Sequence, residues 1–484
     1  MKKSIITIAV ALVGAATAFA QTADDACLFS QAFYQGTAKA LGMGNAMGAV
    51  GGDMTAANIN PAGMGIYRSN EFTASLNLLD NHHASCYYGS DVSANKWRLS
   101  IPNVGYVGTK QKSNFRTLRF TQWGIGLTRI NDYNLHTFAR GVNPTSSRID
   151  NYLARIDGYA DDELQAYFPY DIYPAWQTYL IDLYEDEQGL YYSSPVPQGN
   201  IWQSQDDDFK GRSEEWTFAG SANFAERLFL GLSVSLTHIK REGTRVFEES
   251  RTEATETDFN RWSFSEDITS SGMGVNAKVG FIWHANRWLR LGGAFHTPTA
   301  YAFDESWQTE TESEISYIQR KYISEKSSYE YTFVKPLKWV GSAAFVVGQR
   351  GMISLDAEYT NFGKARFSAD DYNYDDVNAD IKAVYGKTFN LRIGSEWRIA
   401  DSYLRVGAGY YGSPFGFGKD GGSVKKASVG LSLPASSSTT FDFAYELSHG
   451  LSYLTLYDAG ALDIESVSQR QFRHILLATL KVRF

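Results

Sequence analysis

The chain has 484 residues, of which 43% are hydrophobic and 14% aromatic, and its formal net charge is −8. The negative charge argues against nucleic acid as a partner. Two cysteines are too few for a metal cluster. No apolar run of about 18 residues follows residue 20, which argues against a membrane-spanning helix.

Residues 1–20 predict a cleaved secretory signal peptide. Lys2 and Lys3 precede a small and apolar run that ends in Ala18-Phe19-Ala20. A positive start, an apolar middle and an A-x-A end are typical of such signals. We therefore expect cleavage after Ala20 and export from the cytoplasm.

Residues 21–69 are rich in glycine and show no strand alternation. The segment is too short for an independent domain, so we expect it to pack as a compact hatch inside a larger structure. Cys27 lies in this segment and Cys86 follows it. In an oxidising compartment the two thiols could pair or stay free.

Residues 70–484 are predicted to form strands, and the connections between them alternate between short polar turns and long polar segments. The turns are near 102–116, 225–227, 285–287, 348–351, 400–402 and 434–438, and the long segments are 80–95, 141–213, 241–268, 298–335, 361–388, 412–424 and 449–471. Six turns and seven loops predict 14 antiparallel strands. Short turns on one side and long loops on the other are typical of outer-membrane barrels.

The last strand shows the clearest alternation. Counting back in twos from Phe484 gives only apolar residues as far as Leu476, whereas Lys481 and Arg483 lie between them. One apolar and one polar face is the pattern of a strand that separates lipid from a wet interior. Together these features predict an all-β fold, a 14-stranded transmembrane β-barrel with an N-terminal hatch, in the outer membrane of a Gram-negative-type bacterium.

Charged residues of both signs fall at inward positions of the better-defined strands. Six of them are candidate lumen or ligand contacts: Arg392, Arg405, Asp356, Glu358, Asp442 and Glu446. An arginine could bind a ligand carboxylate through two parallel hydrogen bonds. Alternatively, the charges neutralise one another and fasten the hatch to the wall.

The segment 141–213 is acidic and aromatic, and 148–165 and 176–187 look helical and amphipathic. This composition favours a folded extracellular cap, either with an apolar groove or packed only for its own stability.

Common catalytic motifs are missing. No Gly-x-Ser-x-Gly occurs and no His is followed by Glu, so we expect no enzymatic activity, with an outer-membrane lipase as the alternative. His82 and His83 stand next to each other on a predicted loop and could bind a metal or haem iron. Since a histidine pair alone is weak evidence, we expect no cofactor or metal.

The N-terminal segment resembles the hatch of FadL/TodX-type outer-membrane transporters. The resemblance rests on residues 38–46 and above all on Asn60, Pro61, Ala62 and Gly63. It continues at 295–298, 391–397 and 410–414, whereas 141–213 has no counterpart in it.

The resemblance implies a transporter for passive uptake of long-chain fatty acids or other hydrophobic molecules, gated by the hatch. We expect the protein to be a monomer. It also implies a lateral opening in the third strand, where Asn131, Asp132, Tyr133 and Asn134 interrupt the alternation. The expected partners are a hydrophobic ligand and outer-membrane lipid. Two alternatives stay open: a barrel that docks a protein or secretion partner through its cap, and a haem receptor.

Overall fold

The computed structural model describes residues 21–112, 117–187, 189–253, 258–416, 419–457 and 464–484. The predicted signal peptide lies outside the described residues. The helices are α1 (Ala23–Ser30), α2 (Ala38–Gly42), α3 (Met54–Ile59), α4 (Arg148–Ile156), α5 (Leu164–Tyr167), α6 (Ile172–Gln177) and α7 (Asp375–Val384), with 3-10 turns at Pro61–Ile66, Asp161–Glu163 and Phe362–Lys364. Within the described ranges no helix has both the length and the apolar character needed to cross a membrane.

The strands make up most of the chain. They are β1 (Glu71–Tyr87), β2 (Ser90–Gln111), β3 (Leu118–Asp132), β4 (Leu135–Asn143), β5 (Asp182–Asp186), β6 (Gly189–Ser193), β7 (Ile201–Phe224), β8 (Leu228–Arg251), β9 (Phe259–His284), β10 (Leu289–His296), β11 (Thr299–Ile315), β12 (Ile318–Ile323), β13 (Ser327–Lys335), β14 (Lys338–Val347), β15 (Gly351–Asn361), β16 (Arg366–Ser368), β17 (Lys387–Ile399), β18 (Ser402–Tyr411), β19 (Val424–Pro434), β20 (Thr439–Leu454) and β21 (Val467–Arg483).

Eighteen of these strands form one closed antiparallel barrel with 14 crossings, whereas β5 and β6 make a separate hairpin and β12 only extends β11 as a second hairpin strand. Four crossings are each interrupted once, so that β3 with β4, β10 with β11, β13 with β14 and β15 with β16 each count as one. The final strand β21 pairs with β1 from Glu71 opposite Arg483 to Cys86 opposite Ser468. The predicted fold class, including the strand number and the closing role of the last strand, is confirmed.

Alternation along the strands puts apolar residues outside and polar residues inside. On β8, Leu230, Leu232 and Val234 are 44%, 54% and 46% exposed, whereas Ser233 and Ser235, on either side of Val234, are buried. A charged side chain on the lipid face would destabilise the barrel by about 2–4 kcal/mol near the midplane of the membrane. This cost selects, for each strand, the register in which the apolar residues face lipid. The exposed leucines and aromatics therefore form a belt that contacts lipid.

Several strands are much longer than a membrane requires. β7 and β8 have 24 residues each and β9 has 26, whereas about 9–11 residues cross the bilayer. The sequence predictions of loops at 80–95, 241–268 and 298–335 are largely wrong for this reason. Above the membrane both faces of a strand meet polar surroundings, so the hydrophobic alternation fades while the backbone ladder continues.

The segment from Gln21 to Ile66 lies inside the barrel. Helix α2 packs against β18, β19, β20 and β21, and the 3-10 turn Pro61–Ile66 packs against β7, β8 and β9. Helix α1 begins at a capping box formed by Thr22 and Asp25 and lies beside α7. The hatch therefore contacts most of the inner circumference.

The segment between β4 and β7 forms a cap above the barrel. Its helices pack with upper parts of β8 and β9 around Tyr152, Ile172, Phe247 and Trp262. The predicted helix at 148–165 is present in part, as α4 and α5, but the prediction of helix at 176–187 is wrong, because α6 ends at Gln177 and β5 begins at Asp182. The aromatic residues thus build the core of the cap itself.

Candidate ligand path through the barrel

The hatch motif Asn60 to Gly63 is an attachment point between hatch and wall. The Asn60 side-chain amide donates to the Gly48 carbonyl at 2.7 Å and to the Phe281 carbonyl of β9 at 3.0 Å, and its oxygen accepts from Ala62 N at 3.1 Å. Pro61 begins the 3-10 turn, where its missing N–H costs nothing. These bonds tie the turn to β9.

Two wall glycines make this approach possible. A Cβ at Gly231 would lie 2.2 Å from the Ala62 nitrogen, and a Cβ at Gly280 would lie 2.1 Å from the Asn60 side-chain oxygen. Both distances are far below van der Waals contact, so only glycine lets the hatch lie against these strands.

The first predicted lumen cluster contains Arg392, Asp356 and Glu358. Arg392 lies 3.1 Å from Glu358 and 3.7 Å from Asp356, and Lys338 lies 2.9 Å from Glu358. Asp356 also accepts from the Gly48 backbone N–H of the hatch at 3.0 Å. The charges therefore compensate one another at the hatch surface.

The second cluster contains Arg405, Asp442 and Glu446. Arg405 lies 2.7 Å from Glu396 and 3.3 Å from Asp442, and Lys426 lies 2.7 Å from Glu446. Lys481 lies 2.7 Å from Asp442 and 3.2 Å from Asp53 of the hatch. In this arrangement the wall charges fasten the hatch, and contact of the six predicted residues with a ligand stays a prediction.

A cavity of about 310 Å³ lies in the lumen beside the hatch. Hatch residues Leu28 and Phe33 and wall residues such as Tyr133 and Phe209 supply its apolar surface, and amides such as Gln469 and Gln471 supply polar surface. Three arginines also line it: Arg241, Arg245 and Arg473. A mixed surface of this kind suits an amphipathic ligand.

The arginines differ in how far their charge is compensated. Arg245 lies 2.9 Å from Asp207, and Arg241 lies 3.8 Å from Asp25 and stacks over Phe209. Arg473 forms no salt bridge within 4 Å with a described carboxylate, and its Nε has no hydrogen-bond partner. Its charge is compensated only from a greater distance, by Asp132 and Glu446.

The predicted gate residues coincide with a break between β3 and β4. The Asp132 carboxylate accepts from Asn134 N at 2.9 Å and the Asn131 side chain accepts from Asp132 N at 2.9 Å, bonds that favour a turn over a continuous strand. Asn131, Asp132 and Tyr133 also line the cavity. Their role as a lateral gate stays a prediction.

Past this break the chain moves into the lumen. The ladder between β2 and β3 ends where Asn103 lies opposite Thr128, and β4 then pairs with β7. The Asn134 carbonyl accepts from Asn81, an inward residue of β1, at 2.9 Å. The part of β2 from Ser90 to Pro102 consequently pairs only with β1 among the described strands, which leaves a gap in the hydrogen-bonded ladder of the wall, with β4 lying beside it on the lumen side.

Two cationic side chains of β2 fill this gap. Lys96 pairs with Asp208 and donates to the Phe209 carbonyl at 3.1 Å, and Arg98 donates to the Gly211 carbonyl at 3.1 Å. Both carbonyls belong to β7, on the far side of the break. Lys96 and Arg98 could not be predicted from the sequence, because nothing in the alternation of β2 marks the loss of its neighbouring strand.

Arg473 could have been found from the sequence. Continuing the inward series of β21 from Lys481 in steps of two gives Thr479, Leu477, Ile475 and Arg473. Arg241 and Arg245 lie in a stretch predicted as loop, so no face could be assigned to them.

The histidine pair lies on β1, not on a loop. Neighbours on a strand point to opposite faces, and His83 is buried and lines the cavity while His82 faces outward. The two rings therefore cannot bind one iron together, and the haem-receptor alternative stays a prediction. Within the described residues no group of three potential metal ligands occurs.

Both cysteines are free thiols. Cys27 is buried in the hatch, and Cys86 lies on the outward face near the upper end of β1. Burial, with a smaller contribution from Asp24, raises the pKa of the Cys27 thiol to about 12. In the same segment burial lowers the pKa of the Lys39 ammonium group. The nearby Glu396 carboxylate acts in the opposite direction and raises that pKa.

Neither a protein-family model nor a curated protein sequence matches this chain. Solved structures do match. The Pseudomonas putida toluene transporter TodX is 11% identical with a TM-score of 0.56, covering 94% of this chain and 99% of that one. A Pseudomonas aeruginosa FadL homologue is 12% identical with a TM-score of 0.59 and the same coverage.

The Ralstonia pickettii toluene transporter TbuX is 13% identical with a TM-score of 0.52, covering 94% of this chain and all of that one. At such identities the likeness concerns the fold, and it extends over nearly the whole length of both chains. This chain has the fold of the FadL/TodX-type outer-membrane transporters, as the resemblance of its hatch predicts.

Proposed function

We propose that this barrel is an outer-membrane channel for passive uptake of hydrophobic small molecules, with long-chain fatty acids as the expected ligands and no catalytic role. The observation that carries the proposal is the gap in the wall between β2 and β4 beside the lumen cavity. The toluene transport named for TodX and TbuX supports a hydrophobic small molecule as the ligand.

A side exit suits such ligands on energetic grounds. Each buried CH₂ group favours an apolar environment by about 0.8 kcal/mol, so a long alkyl chain resists release into water. A route from the cavity through the break at Tyr133 would deliver the chain to lipid directly. The apolar residues beside the gap, Trp97, Leu99 and Ile101, are 69%, 59% and 56% exposed and would receive it.

The hatch is the proposed gate. It holds Asp53 against Lys481 and Gly48 against Asp356, and it supplies part of the cavity wall through Leu28 and Phe33. A ligand that enters the cavity therefore contacts the hatch directly. A shift of α1, which carries Leu28, would change the volume of this cavity.

Filling the cavity tests the proposal. Thr137 lines the cavity on β4, so Thr137→Trp should lower entry of hexadecanoic acid into liposomes that contain the protein. Thr332→Trp on the outward face of β13 is the matched control and should leave uptake unchanged. Equal uptake by Thr137→Trp and wild type, with both barrels intact, would contradict a lumen route.

The exposed hairpin of the cap favours a second candidate function, docking of a protein partner. Leu190, Tyr184 and Tyr191 are 67%, 47% and 47% exposed, and they neighbour Glu185 and Asp186. Replacing residues 182–193 by a Gly-Ser linker should abolish co-purification of such a partner without affecting ligand uptake. Loss of uptake alone would count against docking.

A further inference from the structure

Gln21 is the residue that cleavage after Ala20 turns into the amino terminus, and its side chain lies buried between the hatch and the barrel wall. It is only 3% exposed. Its amide nitrogen donates to Glu305 Oε1 of β11 at 2.6 Å, and its amide oxygen accepts from the Tyr374 hydroxyl at 2.8 Å. Both ends of the amide group are therefore held by side chains of the barrel.

The Glu305 carboxylate is fixed in its position beside this amide. Its second oxygen, Oε2, accepts from the Ser270 hydroxyl at 2.7 Å and from the Tyr331 hydroxyl at 3.1 Å. The whole residue is buried. The two bonds to Oε2 orient the carboxylate, so that Oε1 faces the Gln21 amide.

The backbone next to Gln21 is also fixed. Thr22 donates its N–H to Asp25 Oδ2 at 3.0 Å and its hydroxyl to the same oxygen at 2.9 Å, where α1 begins. The α-nitrogen of a glutamine is joined to its own amide carbon Cδ through Cα, Cβ and Cγ only, so that a bond between them closes a small lactam ring. An amino terminus at Gln21 is thus held beside the amide with which it can react.

We propose that the folded chain converts Gln21 into a pyroglutamyl amino terminus once the signal peptide has been removed, with Glu305 and Tyr374 as the catalytic residues. The reaction happens once per chain and is a self-modification, not the turnover of a substrate. The inference goes beyond the proposed transport function and does not rest on it. It does rest on the predicted cleavage after Ala20.

The reaction needs no further reactant. The neutral α-amino nitrogen attacks Cδ, the N–Cδ bond forms, and negative charge develops on Oε1. The Tyr374 hydroxyl already donates to that oxygen and stabilises the charge. Glu305 takes the proton that the attacking nitrogen loses and gives a proton to Nε2, to which it is already hydrogen-bonded. The Cδ–Nε2 bond then breaks and ammonia leaves.

The surroundings favour this reaction over the same reaction in an unfolded chain. The Tyr374 ring lies against Phe367 and Tyr331, with ring centroids 5.7 and 6.3 Å apart, so its hydroxyl stays in place. In a buried site a hydrogen bond to a developing charge is stronger than in water. An unfolded glutamine must find the reactive rotamer while its amide is hydrated, whereas the folded chain has both groups in position.

The rate of ammonia loss tests the proposal. The chain from Gln21 to Phe484 is released from a cleavable amino-terminal tag in dilute urea, so that it begins with an uncyclised glutamine, and is then folded into detergent. Intact mass spectrometry follows the loss of one ammonia per chain. A synthetic peptide of residues 21–30 in the same buffer gives the rate without the folded site. We expect the folded chain to cyclise at least about a hundredfold faster than the peptide.

Conservative variants assign the roles of the two side chains. Glu305→Gln and Tyr374→Phe keep the size of each residue and should each slow cyclisation by about a hundredfold. Tyr385→Phe is the matched control, because Tyr385 belongs to the same buried aromatic cluster but donates to Asp24, at 2.6 Å. This variant should cyclise at the wild-type rate. Heat-dependent migration in gel electrophoresis checks that each barrel has folded.

Several results would overturn the inference. A folded chain that keeps its free amino terminus would show that Gln21 only pairs with Glu305. Equal rates in the folded chain and the peptide, or unchanged rates in both Glu305→Gln and Tyr374→Phe, would remove the catalytic role. Protein isolated from the outer membrane should yield a peptide that begins at Gln21 and lacks a reactive α-amino group. A chain that begins at another residue would also overturn the inference, and it would leave the transport function untouched.

Discussion

Asn60 and Phe281 join the hatch to the barrel wall: the Asn60 side-chain amide donates to the Phe281 backbone carbonyl at 3.0 Å. The same amide donates to Gly48 within the hatch, so one side chain connects two hatch segments to β9. This attachment acts together with ion pairs, glycine approaches and further hydrogen bonds between hatch and wall, such as that from Ala38 N–H to the Thr479 hydroxyl at 2.8 Å.

Asn60→Ala should loosen the hatch. The substitution removes two donated bonds and the cap of the 3-10 turn, and it leaves buried carbonyls without donors, which should lower the free energy of unfolding by about 2–3 kcal/mol. Chemical unfolding in detergent measures the change. Asn373→Ala, which removes a single exposed hydrogen bond at the start of α7, is the comparison and should have a smaller effect.

Gly407→Ala should displace the hatch, whereas Gly341→Ala should be neutral. A Cβ at Gly407 would lie 2.1 Å from the Gly44 nitrogen, but a Cβ at Gly341 would have no atom within 4 Å. Both glycines lie in barrel strands, so their intrinsic strand preferences are matched. Protease sensitivity of the hatch is the measurement, and equal sensitivity of the two variants would contradict the close approach.

Cys27 should report on hatch movement. With its pKa raised to about 12 by burial, the thiol is almost entirely protonated at pH 8, so a maleimide should react with outward Cys86 and leave Cys27 unmodified. Raising the pH towards 12 would increase the thiolate of Cys27. Addition of a ligand that shifts α1 should expose Cys27 and accelerate its labelling in a Cys86→Ala background.

That experiment also tests gating. Labelling of Cys27 that is as slow with ligand as without it would indicate a static hatch. The Asn60→Ala variant serves as the positive control, because its hatch should open without ligand.

Arg392→Met should destabilise the barrel strongly. The substitution leaves Asp356 buried without a cation within reach, and breaking a buried ion pair in this way costs about 3–5 kcal/mol. Adding Asp356→Asn should recover part of the loss, because it removes the uncompensated charge. Arg350→Met, at an exposed turn, is expected to have little effect on unfolding.

The barrel was predictable because lipid imposes a repetitive constraint on sequence. Each crossing must present apolar residues outward. The alternation at Leu230, Leu232 and Val234 therefore predicts which face of the strand contacts lipid, even when the neighbouring strands are not known. Turns are equally local: Ala225 and Glu226 adopt positive φ angles in the short turn that the sequence predicts at 225–227. Outside the membrane the requirement for apolar outward residues disappears. The sequence therefore predicts a loop where the upper parts of β8 and β9 form strands.

The candidate path depended on contacts that no local pattern contains. The alternation marks Arg392 and Asp356 as inward, but only the folded chain places them together as partners under the hatch. Likewise, Asn131 to Asn134 mark an interruption in the sequence, whereas the gap arises because β4 moves into the lumen and leaves β2 without a neighbour.

By itself, therefore, the sequence determined the closed barrel, the number of its crossings and the face that each strand shows to lipid, since those follow from alternation repeated along the chain. The tertiary structure decided which buried charges neutralise one another and which stay free. Ion pairing depends on side chains hundreds of residues apart, such as Lys481 and Asp53, meeting within about 3 Å. The lack of a salt bridge at Arg473 is visible only once the other pairs have been assigned.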